Sequence, residues 1–188
     1  GMKRFLIFSL VMLAVSNMAV PAQGYLSNRT VGAVEVELSV ALVTASNRIE
    51  TFGRSNPGVG VAAEVRYNFA QAPVDLGLNF SLATFSRSHS VREGVEKYNF
   101  DSQSLLLTAD YNFFQGRMAS LFVGCGAGIS WCGRLVDNSR HGVAPCVVPR
   151  VGVELSEHIR ISLGYNFSER ANSHLQLGVG FAFGGGKR

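Results

Sequence analysis

The chain has 188 residues, of which 47% are hydrophobic and 16% charged, and its formal net charge is +4. Loss of Lys3 and Arg4 with the leader described below lowers this to +2, too mild a balance to argue for a nucleic-acid partner. After the leader no apolar run is long enough for a spanning helix. Any crossing of a membrane would therefore be made by strands closed into a barrel, since open sheet edges go unsatisfied in lipid.

In chain order, Lys3 and Arg4 precede an apolar run from Phe5 to Val15, and Val20-Pro21-Ala22 stands before Gln23. A basic start, an apolar core too short to span a bilayer and small residues at its end describe a secretory signal peptide over 1–22, cleaved after Ala22. A buried N-terminal helix is the alternative. Gly1, ahead of Met2, reads as a cloning remnant. Gln23 in place of a Cys gives no sign of lipid attachment. Residues 23–188 then have the length of one domain.

Eight segments alternate apolar and polar residues, the signature of strands with two unlike faces. The first, near 30–44, sets Val34, Val36, Leu38, Val40 and Leu42 against Glu35, Glu37 and Ser39. The second, near 59–69, sets Val59, Val61, Ala63, Val65, Tyr67 and Phe69 against Gly60, Ala62, Glu64, Arg66 and Asn68. The third sets Val74, Leu76, Leu78, Phe80 and Leu82 against Asp75, Gly77, Asn79 and Ser81. The fourth sets Leu105, Leu107, Ala109, Tyr111 and Phe113 against Ser104, Thr108, Asp110 and Asn112. The fifth sets Leu121, Val123, Ala127, Ile129 and Trp131 against Gly124, Gly126, Gly128 and Ser130. The sixth sets Val151, Val153 and Leu155 against Arg150, Gly152 and Glu154. The seventh sets Ile159, Ile161, Leu163, Tyr165 and Phe167 against Arg160, Ser162, Gly164 and Asn166. The eighth sets Leu175, Leu177, Val179, Phe181 and Phe183 against Gln176, Gly178, Gly180 and Ala182.

No apolar face carries a charge, and the polar faces are crowded with Gly, Ala, Ser and Asn. Small residues suit the narrow interior of a barrel of about eight strands. The pattern predicts an all-β, eight-stranded antiparallel up-and-down transmembrane barrel with apolar faces toward lipid and charged residues enclosed. Lysine, scarce here, is represented after the leader only by Lys97 and Lys187, few for a solvated sheet. Connections alternate: long ones near 45–58, 86–100 and 133–143 with a shorter one near 168–173, and tight ones near 70–73, 114–119 and 156–158. Short periplasmic turns and longer external loops fit an outer-membrane barrel with a periplasmic N-terminus. Tyr67, Phe69, Tyr111, Phe113, Phe181 and Phe183 fall at one rim, and Phe85, Trp131, Tyr165 and Phe167 toward the other, as two interfacial girdles.

On these residues the chain resembles the small outer-membrane β-barrels of the OmpX and OmpA-transmembrane-domain type. Gln176, Gly178, Phe181 and Phe183 resemble the C-terminal signal by which the barrel assembly machinery recognises its clients, although Gly184 to Arg188 follow where many members stop. "PRVGVEL" at 149–155 and the "GGGK" ending resemble the outer-membrane β-barrel domain of Gram-negative gut bacteria. The resemblance implies export to the outer membrane of a Gram-negative bacterium and contact with membrane lipid and lipopolysaccharide.

Little else in the sequence carries chemistry. Gly124, Gly126 and Gly128 lie at strand period and open no helix, so they are no dinucleotide loop. Glu35, Glu37, Glu64, Asp75, Asp110 and Glu154 with Arg66, Arg150 and Arg160 form either a salt-bridged plug or an ion path; the cost of unpaired enclosed charge favours the plug. His89, His141, His158 and His174 show no metal spacing, and no cofactor is expected. "SRSHS" at 86–90 places serines beside a histidine, without the oriented triad a hydrolase needs. Cys132 and Cys146 share inward parity and flank a long connection; an oxidising compartment allows them to pair, and free thiols are the alternative. Cys125 has outward parity. Arginines in the long connections suit lipid phosphates or plain solvent equally. The expected function is a non-enzymatic barrel, structural or surface-binding through its external loops. A narrow porin-like channel, a lipid-A-modifying enzyme and a secreted lipocalin-like barrel with inverted faces are the alternatives.

Overall fold

The computed structural model describes residues 34–45, 54–69, 72–91, 94–114, 119–134, 142–156, 158–169 and 172–184. The expected leader at 1–22 and the start of the first expected segment at 30–33 lie outside them. Eight strands are present: β1 (Val34–Ala45), β2 (Arg54–Asn68), β3 (Val74–Val91), β4 (Gly94–Phe113), β5 (Ala119–Arg134), β6 (Ala144–Leu155), β7 (Ile159–Asn166) and β8 (His174–Gly184). Each pairs antiparallel with its chain neighbours, and β8 closes on β1 from Glu35↔Gly184 to Ala45↔His174. Closure removes every open edge, the condition for strands in hydrocarbon.

The alternation fixes the faces. Outward-pointing Val40, Val61, Leu78 and Leu107 are 63%, 53%, 50% and 71% exposed, whereas Glu64 and Arg66 are buried. A belt of exposed Val, Leu, Ile and Phe circles the wall, and only hydrocarbon solvates such a belt without cost. The lipocalin-like arrangement, with these faces exchanged, is overturned. At the end bearing the tight turns, outward aromatics two apart pack on each other: Tyr67 with Phe69 at 5.1 Å, Tyr111 with Phe113 at 4.8 Å and Phe181 with Phe183 at 4.8 Å between centroids. Tyr165 and Phe167 do the same at the long-loop end, at 4.4 Å.

Three expectations need correction. The stretch near 86–100 is not a loop: β3 and β4 stay paired as a ribbon as far as Val91↔Gly94. Likewise 54–58 belongs to β2, whose pairing with β3 shifts register between Asn56 and Val59. Glycine is required in that irregularity, because a Cβ on Gly58 would collide with the Thr84 carbonyl oxygen. Phe85 is no girdle residue: it points inward and is buried.

A closed lumen as the candidate functional site

Inward side chains fill the barrel in three layers. The first, in the half nearer the tight turns, is ionic. Register brings Glu35 opposite Arg66, but it also sets Glu37 opposite Glu64 and Asp75 opposite Asp110. Like charges directly across a ladder repel, so cations must reach in from elsewhere. Arg66 bonds Glu35 at 2.8 Å and Glu37 at 2.6 Å, with Glu64 at 3.6 Å. Arg150, from β6, crosses the lumen as a double fork. Its Nη1 and Nη2 donate to Glu64 at 2.6 Å each, and its Nε and Nη2 donate to Asp110 at 2.8 Å each. Arg160 adds Asp110 at 2.9 Å and Glu37 at 3.6 Å, and its guanidinium lies 3.7 Å over the Phe122 ring. Bidentate geometry of this kind is what arginine offers and lysine does not.

Neutral donors complete the layer. Asn79 and Thr108 donate to Glu64 at 2.8 and 3.1 Å, Asn68 donates to Glu35 at 3.2 Å, and Asn112 donates to Asp75. Asp75 and Glu154 have no direct ion pair among the described residues, although Glu154 sits opposite Arg160 in register. Glycine makes the room: a Cβ on Gly124 would collide with the Asp110 carboxylate, and one on Gly180 with the Glu37 carboxylate. The glycines at strand period are thus the wall against which the acids fold.

The second layer is small and mixed. Leu106, Cys146 and Val148 form a buried apolar cluster, beside a Ser81–Ser104 hydroxyl pair at 2.6 Å. The third closes the long-loop end. Val43, Ala45, Phe85, Phe100 and Cys132 form one buried cluster, with Phe85 and Phe100 stacked at 5.9 Å and His174 5.7 Å from Phe85. Polar groups line the β7–β8 side of that end. Ser130 and Ser168 share a hydrogen bond of 2.6 Å, and His174 Nδ1 lies 2.7 Å from the Asn172 carbonyl.

The structure brings Glu35, Glu37, Glu64, Arg66, Asp110, Arg150 and Arg160 into one contact network, and Asp75 and Glu154 to its margin. It does not bring Cys132 and Cys146 together. Both are buried, neither is in a disulfide, and they lie in different clusters. Cys146 pairs with Gly128, four residues from Cys132 along β5, roughly 13 Å at strand rise. A disulfide tolerates no more than about 7 Å between Cα atoms, so the expected bridge is withdrawn. Cys125 is exposed on the outward face. Gln176 and Gly178 point inward, while Phe181 and Phe183 are exposed at the tight-turn end, where His158 stacks on Phe181 at 5.6 Å. His141 and the side chain of His89 lie outside the described residues.

Sequence reasoning missed the apolar inward residues Phe85, Phe100, Leu106 and Phe122. Leu106 and Phe122 sit inside unbroken apolar runs, Leu105-Leu106-Leu107 and Leu121-Phe122-Val123, where parity is hidden. Only extrapolation from the flanking alternation assigns them inward.

No protein-family model matches the sequence, and no curated protein does. Solved structures match at the level of fold. Neisserial surface protein A superposes with a TM-score of 0.60 at 13% identity, covering 82% of this chain and 99% of that one. The outer membrane protein OprG from Pseudomonas aeruginosa superposes at 0.53 and 9% identity, covering 83% and 98%. The chain therefore has the fold of the small eight-stranded outer-membrane β-barrels, the OmpX and OmpA-transmembrane-domain kind.

Proposed function

We propose that this is a non-enzymatic outer-membrane protein of a Gram-negative bacterium, exported behind a cleaved leader, whose closed barrel acts structurally or presents its long-loop end for binding at the cell surface. The observation that carries this is the double obstruction of the lumen: an arginine–carboxylate network in one half and the Phe85–Phe100 cluster at the other end. Interiors of eight-stranded barrels are just wide enough for side chains to fill, and the ionic layer and the aromatic cluster support that reading here. The likeness of fold to two outer-membrane proteins supports the location. The outward apolar belt and its aromatic rims then contact lipid and lipopolysaccharide. Gln176, Gly178, Phe181 and Phe183 serve as the signal to the barrel assembly machinery, with the two phenylalanines on the outer wall where a docking protein reaches them.

Planar-bilayer recording tests the closed lumen. Purified barrel is expected to give no discrete conductance steps, and steady ion-selective steps would sink the reading. A tag inserted between residues 48 and 49 tests the orientation: it is expected to be reached by antibody on intact cells, and labelling only after the outer membrane is permeabilised would reverse it.

A narrow cation channel is the second reading, and one observation favours it. Among the described residues six inward carboxylates face three guanidiniums, leaving that set formally negative. Selective, low-amplitude cation steps would be its mark.

A further inference from the structure

Among the described residues the β6–β7 ladder is the shortest in the barrel. It runs from Leu155↔Ile159 to Arg150↔Gly164 and stops. The same register resumes as one bridge, Val147↔Phe167, in which Val147 N–H donates to Phe167 at 3.0 Å and Phe167 N–H donates back at 2.8 Å. Between them stands Pro149, opposite Tyr165. Alternate residues of an antiparallel strand turn their backbone groups to the same neighbour, so Pro149, like Val147, turns toward β7. Proline has no N–H to give, and the Tyr165 carbonyl meets no ladder donor there. The next residue, Asn166, is 2% exposed, and its Oδ1 has no hydrogen-bond partner. Two acceptors on adjacent residues are thus left without a donor in a wall where unpaired polar groups are costly.

We propose that a water molecule occupies this gap, donating one hydrogen to the Tyr165 carbonyl and the other to Asn166 Oδ1, and that the barrel wall opens here first. The guest comes from the lumen side, because Asn166 points inward and is closed off from the outer face. Its surroundings there are mixed: Val148, of the buried apolar cluster, faces it from β6, and polar groups lie on the β8 side. Asn166 lies opposite His174 in register, His174 holds the Asn172 carbonyl, and the Asn172 amide, 1% exposed, has neither its nitrogen nor its oxygen partnered. A buried water needs two to four polar partners, and the Tyr165 carbonyl and Asn166 Oδ1 are two. A water-bridged rung yields more readily than a direct one, so the short seam is the element of lowest local stability.

Magnetisation transfer from long-lived water to amide protons, measured by NMR in nanodiscs, tests the site. Transfer is expected at the Asn166 and Phe167 amides of the unaltered chain, and its absence there would overturn the proposal whatever the variants do. Pro149→Ala restores the missing N–H; it should abolish the transfer and slow exchange of the Phe167 amide about tenfold, the share of one net hydrogen bond. Asn166→Leu should abolish the transfer without slowing that exchange. Pro145→Ala, whose backbone faces beyond the end of β7, should change neither. A folded Pro149→Ala variant with unchanged transfer and exchange would also refute it.

Discussion

Arg66→Ala tests the ionic layer most sharply, because the structure says what each freed acid keeps. Glu35 loses its 2.8 Å ion pair and, among the described residues, retains the Asn68 amide at 3.2 Å. Glu37 loses its 2.6 Å pair and retains Arg160 at 3.6 Å. Glu64 keeps both branches of Arg150. One carboxylate is thus left effectively uncompensated in a buried site, and removing one partner of a buried pair costs about 3–5 kcal/mol. With an m-value of about 2 kcal/mol per molar urea, the unfolding midpoint in detergent should fall by about 2 M. Glu169→Ala, at an exposed position of the long-loop end, should leave it in place. Arg66→Lys should recover only part of the loss, since a point charge serves one acid where the guanidinium serves two. The double variant Arg66→Ala with Glu35→Gln should recover more than Arg66→Lys, because it removes the orphaned charge itself. An unchanged midpoint in Arg66→Ala would refute the ionic account. So would a large new conductance at unchanged stability, which would make the network a gate.

Leu78→Arg should impair insertion, at a cost of about 2–4 kcal/mol for an arginine near the midplane, while Asn79→Arg, which points inward, should instead disturb the Glu64 contact; folded yield on semi-native gels reads both. Gly124→Val should abolish the folded band, because its side chain would occupy the place of the Asp110 carboxylate. Phe85→Ala should lower stability by about 3–5 kcal/mol, as expected for emptying a buried aromatic site, and the midpoint in denaturant checks it. Mobility of the folded barrel should not respond to reductant. A membrane-permeant maleimide should label Cys125 and spare Cys132 and Cys146 until the barrel unfolds; a reducible band shift would restore the bridge.

The wall was legible because lipid on one side and a crowded lumen on the other impose opposite chemistry on alternate residues. That contrast, repeated over eight segments with no charge on any apolar face, placed Glu64 and Arg66 inside; the alternation of their own strand alone did not. It failed where the contrast itself fails. The ribbon at 86–99 keeps strand pairing without an apolar face, so its Ser, His and Arg residues look like loop. Phe85 and Phe100 carry lipid-type chemistry on the inner parity, because the long-loop end of the lumen is closed by apolar packing and not by ions. One ion pair of the network was hidden as well. Arg150 reaches Glu64 across the barrel from 86 residues away, a contact set by closure and strand tilt, not by any local pattern. The thiols misled for a related reason: shared parity says that two residues face one space, and says nothing of their height in it.

Two kinds of apolar residue exist in this barrel, one against lipid and one inside the lumen. Paramagnetic broadening of methyl signals by spin-labelled acyl chains in nanodiscs separates them directly. Strong broadening is expected at Val40, Val61, Leu78, Leu107 and Val179, all exposed on the outer wall, and none at Val43, Leu106 and Val148, all buried within. Broadening of the second group with sparing of the first would contradict this division.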